Sequence, residues 1–379
     1  LIFPTKAPIA VSLYNSSGSA WTSTDAKIAE NLRLIRNHIR GINEDQYIRN
    51  VDIFGEDSPL FIIIVQVHQR YTHLLYLIES LRRVHGIEEA LVVFSHDFFS
   101  AEINHVINSI RFVRFTQIFF PYSRQIFPDS FPGPDPRDCH TRGYAADICF
   151  NALCFVITKM NVSKTFNGQY ILLEEDYMVL KDLLHVLKLT KKLNKTYDIV
   201  VLGSYENSQT YNSPELVAMA GQCTTFYLKN FCIYDDYNWD WSLYFIDRVC
   251  ANEKFRVLHF KNCGRVFHTG SCGLHANGSE CGNVEASVTR IMDRIARGGG
   301  SDGVLFPSAL LVAVDSVQRP LVLPNGGWGD ARDRALCLAI VNNRWFPLAH
   351  LLSDNIGRRR LDVFEPLIPG VSNTTSSVL

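Results

Sequence analysis

The sequence predicts an α/β fold in which a mostly parallel central sheet is flanked by helices. Three short strands are predicted at Leu91–Phe94, Phe115–Phe119 and Phe61–Val67, and the last of these is almost continuously apolar and rich in β-branched residues. That composition is typical of strands buried on both faces. Segments with helical spacing separate the runs, and this alternation of strand and helix favours a parallel sheet with helices packed against it.

The helices are predicted from the spacing of their apolar residues. Ile28–Ile42 has apolar residues every three or four positions with charges between them, which indicates a short amphipathic helix. Tyr71–Val84 places most of its leucines on one face and ends before Gly86, a residue that commonly stops a helix. A third helix is predicted from about Ser100 to Ile110.

Beyond the first sheet strands, three further elements are expected. Tyr170–Leu173 is a strand that runs directly into three acidic residues, Lys181–Leu193 is a helix, and Asp198–Gly203 is another strand. The organisation predicted from these elements is a stem and short helix over residues 1–50, a compact α/β domain over 51–345 and a loose tail over 346–379.

Composition excludes several classes of protein. With 37 Lys and Arg against 38 Asp and Glu, the chain lacks the basic field that nucleic-acid binding requires. It has neither a GxGxxG nor a GxxxxGK[ST] motif, which argues against a dehydrogenase or a P-loop enzyme. Ten cysteines without a CxxC pair favour an oxidising compartment over a zinc site, as do five glycosylation sequons, which start at Asn15, Asn161, Asn194, Asn277 and Asn373.

The acidic triplet Glu174-Glu175-Asp176 is the first candidate site. Ligands of parallel α/β sheets bind at the carboxyl ends of the strands, where this triplet is expected. Three adjacent carboxylates resist burial unless a cation neutralises them, and a hard divalent cation can be shared with diphosphate oxygens. The alternative is a solvated acidic turn, and the triplet alone does not decide between the two.

Two later segments also carry residues suited to chemistry. Tyr234–Trp241 combines three aspartates with four aromatic residues, so it could stack on sugar rings and supply a base, or it could be an aromatic core segment. His268, in Arg265–Gly273, could reach a metal through its neutral imidazole or could be structural. Pro324–Asp330 is glycine-rich and indicates a tight loop.

Taken together, these segments resemble the N-acetylglucosaminyltransferase II family. The resemblance covers roughly residues 45 to 340, keeps the family's order, and rests on these strings: Val65–Arg70, Ser80–Arg82, Phe94–Phe98, Phe131–Cys139, Leu173–Asp176, Tyr234–Trp241, Phe267-His268 and Asn325–Asp330. It implies a GT-A type nucleotide-sugar-binding fold. The implied reaction is inverting transfer of N-acetylglucosamine from UDP-N-acetylglucosamine to the 2-hydroxyl of the α-1,6-linked mannose of N-glycans on glycoproteins.

The resemblance also implies roles for individual residues. Asp240 would be the general base, and Asp176 and His268 would bind Mn²⁺. Disulfides would join Cys232 to Cys337 and Cys272 to Cys281. The donor would be contacted by Gln66, Val67, His68, Gln69, Arg70 and Asp97. The implied location is the lumenal side of the Golgi membrane, with attachment through an N-terminal anchor outside this sequence.

The chain departs from the family's pattern in two places. It is shorter between Cys139 and Gln169, where the family has a basic, Trp-rich stretch that contacts the donor, and again before Cys232; Gln209 also stands where the family has an arginine. These departures favour an alternative in which the chain binds glycan or nucleotide without turnover. A second alternative is a glycoside hydrolase that uses a pair of carboxylates such as Asp236 and Asp240.

Overall fold

The computed structural model describes residues 23–128, 160–193, 197, 199–203, 215–218, 257–260, 263–270, 283–300, 305–313, 335, 336, 338 and 339. Its main helices are α1 (Ser23–Asp45), α2 (Val51–Phe54), α3 (Tyr71–Arg82), α4 (Ala101–Asn108), α5 (Leu183–Thr190) and α6 (Val284–Arg297). Its strands are β1 (Phe61–Val67), β2 (Ala90–His96), β3 (Arg114–Phe119), β4 (Gln169–Glu174), β5 (Tyr177–Val179), β6 (Ile199–Val201), β7 (Glu215–Ala218), β8 (Val257–His259), β9 (Val266–His268) and β10 (Leu311–Ala313).

The central sheet has the strand order β3-β2-β1-β4, and all of its neighbours are parallel. Both faces are buried, as the apolar runs predict. Alternate residues of β1 such as Ile63 and Val65 pack with α3 and α5, whereas Ile62 and Ile64 pack on the other face with residues that include Met160. The predicted α/β class, a mostly parallel sheet with flanking helices, is confirmed.

The strand order fixes where a ligand can bind. Successive strands β1, β2 and β3 extend the sheet in one direction, and β4 returns to the opposite side of β1. Parallel sheets bind ligands in the crevice outside the carboxyl ends of the strands where this direction reverses. In this chain that crevice lies between the ends of β1 and β4, just after Val67 and Glu174.

Several boundaries differ from those predicted. Helix α1 starts at Ser23 and is longer than Ile28–Ile42, and near its end the Asn43 side chain pairs with both backbone groups of Phe119 in β3 at 2.8 Å. Helix α5 is shorter than Lys181–Leu193 because turns replace the helix at both ends, over residues 180–183 and 189–193. Strand β6 spans three residues instead of Asp198–Gly203.

Two smaller sheets complete the described part of the chain. One has the order β10-β7-β8-β6, and the other is an antiparallel pair formed by β5 and β9.

No helix among the described residues is both long and apolar enough to cross a membrane. Residues 1–22 and 346–379 lie outside the described ranges, so the stem and the tail remain predictions.

Candidate functional site

The pairing of β5 with β9 brings Asp176 and His268 together although 92 positions separate them in the chain. Tyr177 is opposite His268 in this ladder, so Asp176 lies beside Thr269. The backbone N–H and the hydroxyl of Thr269 both donate to the Asp176 carbonyl at 2.7 Å. As a result, Nε2 of His268 lies 3.0 Å from Oδ2 of Asp176.

Arg70 supplies the positive charge of this cluster. Its guanidinium forms an ion pair with the same Oδ2 of Asp176 from the loop that follows β1. Burial raises the pKa of the Asp176 carboxyl, but the hydrogen bond and charge of His268, together with the charge of Arg70, outweigh it and lower that pKa. Asp176 is therefore a buried carboxylate kept in its charged form by its neighbours.

Close packing at this point requires a glycine. A Cβ atom at Gly270 would clash with Oδ2 of Asp176 and would lie 3.1 Å from Nε2 of His268. The Thr269-Gly270 pair that follows His268 thus allows the β9 end to approach the carboxylate. The patterns in the sequence gave no sign of this contact.

Glu175 has a different task from Asp176. Its Oε2 accepts the backbone N–H of His68 at 2.8 Å, and its Oε1 accepts that of Arg70 at 3.0 Å. Its own N–H donates to the carbonyl of Gln66 at 2.9 Å. Burial raises the pKa of this carboxyl, although the two backbone hydrogen bonds and the charges of His68 and Arg70 act in the opposite direction. Glu175 therefore shapes the loop after β1 and faces away from solvent.

The end of β2 contributes Asp97. Val67 is opposite His96 in the β1–β2 register, so the residues that follow them, His68 and Asp97, are neighbours. Nδ1 of His68 lies 2.7 Å from Oδ1 of Asp97, and the N–H of Asp97 donates to the carbonyl of Val67 at 3.2 Å. The crevice predicted from the strand order is thus lined by groups from β1, β2 and β4.

The predicted donor residues do not all present side chains to the crevice. Gln69 and His68 are exposed, Gln66 and Arg70 are partly exposed, and Val67 is buried, with its carbonyl accepting the N–H of Asp97. Asp240, the cysteines at 232, 272, 281 and 337, and the segment Asn325–Asp330 lie outside the described residues. Their predicted roles stay predictions.

A cation was expected at Asp176 and His268. In the described ranges no group of three or more His, Cys, Asp or Glu side chains is close enough to hold a metal ion. The pair nevertheless suits one, because carboxylate oxygen and imidazole nitrogen are both good ligands for Mn²⁺. In addition, Oδ1 of Asp176 is buried and has no hydrogen-bond partner among the described residues. The residues present fit a cation whose remaining ligands come from elsewhere.

Behind the cluster, a buried ion pair fixes the other end of the β5–β9 ladder. Nε and Nη2 of Arg265 lie 3.0 Å and 2.9 Å from Oδ2 of Asp182. The N–H of Leu180 donates to the carbonyl of Arg265 at 2.9 Å. Arg265 directly precedes β9, and Asp182 lies in the turn between β5 and α5, so the pair joins the two strands at the end opposite Asp176 and His268. Sequence reasoning did not find this contact.

Comparison with known proteins matches the chain to the family model of N-acetylglucosaminyltransferase II over residues 36–154 and 149–337. A relative from Rattus norvegicus, alpha-1,6-mannosyl-glycoprotein 2-beta-N-acetylglucosaminyltransferase, is 34% identical over 364 residues, which is 81% of this chain and 80% of the relative. The protein of the same name from Homo sapiens is 33% identical over 365 residues, with coverage of 82% and 80%.

A solved structure of S. aureus TarS 1-349 in complex with UDP-GlcNAc is also similar. It covers 65% of this chain and 70% of that chain, with 13% sequence identity and a TM-score of 0.34.

Proposed function

The chain belongs to the N-acetylglucosaminyltransferase II family, and on that premise we propose that it moves N-acetylglucosamine from UDP-N-acetylglucosamine to the 2-hydroxyl of the α-1,6-linked mannose of N-glycans. The proposal is carried by one observation: a buried carboxylate, a histidine and an arginine, Asp176, His268 and Arg70, meet at the carboxyl edge of the parallel sheet. That edge is where sheets of this kind bind nucleotides.

The donor would lie along the loop after β1 and the end of β2. Within that loop the side chains of His68 and Gln69 are exposed and that of Arg70 is partly exposed. Glu175 orders the loop by accepting the backbone N–H groups of His68 and Arg70, so the donor would bind to a surface that is already ordered. This arrangement, together with family membership, supports assignment to the GT-A type of fold.

We further propose that Asp176 and His268 hold Mn²⁺. When bound, the cation would supply positive charge against the negative charge that grows on the leaving diphosphate. Arg70 adds a second positive group at the same carboxylate, and its side chain is 38% exposed, so it can also face a phosphate. The unpartnered, buried Oδ1 of Asp176 supports a ligand role for this side chain.

The acceptor side of the reaction is assigned to Asp240. Its carboxylate would take the proton of the mannose 2-hydroxyl as that oxygen attacks the anomeric carbon, and the configuration would invert in this single displacement. The aromatic residues of Tyr234–Trp241 suit a sugar-binding surface because their faces stack on sugar rings.

The alternatives predict different products. Family membership disfavours the glycoside hydrolase reading based on Asp236 and Asp240. A family member that binds without turnover is favoured by one observation, the short segment between Cys139 and Gln169. The two matched stretches of the family model overlap at residues 149–154, inside that segment.

The deciding experiment supplies UDP-N-acetylglucosamine and a mannose-terminated N-glycan, with Mn²⁺ present or removed by a chelator. We expect one N-acetylglucosamine to be added at the 2-hydroxyl of the α-1,6-linked mannose, and we expect the chelator to stop transfer. UDP binding without any transfer would identify the non-catalytic family member. Release of free sugar without a nucleotide donor would identify a hydrolase.

We place the protein on the lumenal side of the Golgi membrane. Five sequons and ten cysteines without a CxxC pair support an oxidising compartment. Peptide mapping under non-reducing conditions should find Cys232 joined to Cys337 and Cys272 joined to Cys281. In the described ranges, Cys263 is buried and unpaired. Finding free thiols at all four predicted positions in secreted protein would contradict the assignment.

A further inference from the structure

We propose that Asn161 is a site of N-linked glycosylation. The inference rests on the lumenal location proposed above and concerns a surface separate from the transfer site. Asn161-Val162-Ser163 satisfies the acceptor pattern in which any residue except proline stands between Asn and Ser or Thr. Of the five sequons, it is the one whose three residues all lie within the described ranges.

The sequon forms a single 3₁₀ turn on the surface, and its asparagine points outward. Asn161 is exposed. Its backbone N–H donates to Oε1 of Gln46 at 2.8 Å. The turn is therefore held through the backbone of Asn161 and does not depend on its side chain. Among the described residues, Nζ of the exposed Lys164 donates to Oδ1 of this side chain at 2.8 Å. A surface pair of this kind rearranges at little cost.

The backbone on either side of the asparagine is anchored in the core. Met160 is buried among Ile62, Ile64 and their neighbours, and Val162 packs partly against the same cluster. The turn therefore holds the Asn161 side chain on the outside by burying the residues before and after it. A glycan at this position would not have to displace any core side chain.

The exposed residues that follow the turn along the chain are polar. Lys164, Thr165 and Asn167 are all exposed and follow the sequon directly. None of the exposed large hydrophobic residues of the described chain falls between positions 160 and 193. Sugar hydroxyl groups would remain hydrated here, which is the surroundings that a solubilising glycan needs.

The turn is also placed so that a glycan would leave the transfer site open. The chain that follows it enters β4 at Gln169, and the acidic triplet lies at the other end of that strand. Six residues that rise about 3.3 Å each separate the two ends by about 17 Å. The backbone contact of Asn161 is to Gln46, in the segment after α1.

The modification needs a lipid-diphosphate-linked oligosaccharide as its second substrate. A bond forms between Nδ2 of Asn161 and the anomeric carbon of the oligosaccharide, and the bond from that carbon to the diphosphate oxygen breaks. The lipid diphosphate leaves, and the amide nitrogen loses one proton. The Ser163 hydroxyl completes the acceptor and is not consumed.

The test compares the full chain, secreted behind a host signal, with three variants. Asn161→Gln and Ser163→Ala destroy the sequon, whereas Ser163→Thr preserves it and is the matched control. We expect the peptide that contains residue 161 to carry a glycan in the unmodified chain and in Ser163→Thr, and to lose it in the other two. Treatment with peptide N-glycosidase should convert Asn161 to Asp in the first pair alone.

Sugar transfer is measured on the same four preparations, so the two proposals can fail separately. An unmodified Asn161 in folded, secreted protein overturns the glycosylation site whatever the transfer assay gives. A glycosylated Asn161 in a protein that transfers no sugar supports the site and overturns the proposed transferase activity. We expect transfer to be equal in all four proteins.

Discussion

The carboxylate of Glu175 accepts the backbone N–H of Arg70 at 3.0 Å, while the neighbouring carboxylate of Asp176 pairs with the guanidinium of the same residue. Adjacent acidic residues therefore hold the two ends of one arginine. Glu175 also accepts the N–H of His68 at 2.8 Å, so it orders the predicted donor loop. The acidic triplet thus contains a group that shapes the backbone as well as one that faces the site.

This relationship predicts that Glu175→Gln weakens donor binding. One of the two backbone N–H groups would face an amide NH₂ in place of an acceptor, and an unsatisfied buried group costs about 1–3 kcal/mol. We expect the affinity for UDP in the presence of Mn²⁺ to fall about tenfold, which corresponds to about 1.4 kcal/mol. Titration calorimetry provides the measurement.

The control for this variant is Glu102→Gln, an identical change at an exposed position in the first turn of α4. It should leave UDP affinity unaltered. If Glu175→Gln bound UDP as tightly as the unmodified chain does, the loop would not depend on this carboxylate and the assigned role would be wrong.

A second prediction concerns Asp176→Ala. It should remove the part of UDP affinity that depends on Mn²⁺ and leave the fold intact, because the side chains of its partners, Arg70 and His268, are 38% and 49% exposed and can rehydrate. Calorimetry with and without Mn²⁺ measures the first effect, and thermal unfolding the second. Asp293→Ala, on the exposed face of α6, is the control. Unchanged UDP affinity in the Mn²⁺-containing sample would exclude Asp176 as a ligand.

Elements that depend on local patterns in the chain can be predicted from the sequence, whereas contacts between residues far apart in the chain cannot. The bounds of β1 follow from a run that is apolar at nearly every position, and α3 follows from leucines on one helical face. Such patterns show which residues of an element are buried, and they do so without showing which other element covers them. The three-residue strand β5 was not predicted, because it is too short to show a period and follows charged residues.

The site's internal contacts could not be predicted from periodicity. The meeting of Asp176 with His268 depends on β5 pairing with β9, and the pair Asp182–Arg265 joins residues 83 positions apart. Family resemblance named Asp176 and His268 as metal ligands. No pattern in the chain shows which carboxylate of the triplet faces the site and which one binds the backbone of the loop after β1. Glu175 and Asp176 are adjacent acidic residues, and the three-dimensional packing alone separates their tasks.

The buried pair Asp182–Arg265 provides a prediction about stability. Their side chains are 0% and 5% exposed, and the N–H of Phe306 also donates to Asp182 at 3.3 Å. Asp182→Asn removes the carboxylate charge from this buried pair, and breaking a buried pair in this way costs about 3–5 kcal/mol. We expect urea unfolding to report a loss of that size.

A surface pair supplies the contrast. Glu79 interacts with Arg82 and Arg83 on the exposed side of α3, and Glu79→Gln should cost roughly 0–1 kcal/mol. The double variant Asp182→Asn with Arg265→Met should be less destabilised than the sum of its single variants. If Asp182→Asn and Glu79→Gln lowered the free energy of unfolding equally, the buried pair would contribute no more to stability than the surface pair.

The pH dependence of stability should depend on His96. This residue is fully buried at the end of β2 and stacks on Phe119, with a ring separation of 4.4 Å. Burial lowers the pKa of its imidazole from 6.5 to about 3. Between these values the unfolded chain binds a proton that the folded chain does not, so this residue makes the free energy of unfolding fall as the pH falls.

The variant His96→Phe keeps a ring against Phe119 and removes the titration. Gln117, whose Nε2 lies 3.0 Å from the imidazole, keeps its hydrogen bond to Oδ1 of Asn104, so any fixed cost of the change should not vary with pH. Relative to the variant, the unmodified chain should lose up to roughly 1.4 kcal/mol per pH unit between about pH 6.5 and pH 3. Urea unfolding at several pH values measures this. Parallel pH profiles for the two proteins would contradict the prediction.

The last prediction concerns Asp240 and separates the candidate functions. Asp240→Asn keeps the size and shape of the side chain but cannot take the acceptor's proton, so transfer should fall by roughly 10²–10⁴, the usual contribution of a positioned base. UDP binding with Mn²⁺ should change little, because the residue acts on the acceptor. This pattern is the reverse of that expected for Asp176→Ala, which removes nucleotide binding itself. Equal transfer by Asp240→Asn and the unmodified chain would move the search for the base to Asp235 or Asp236.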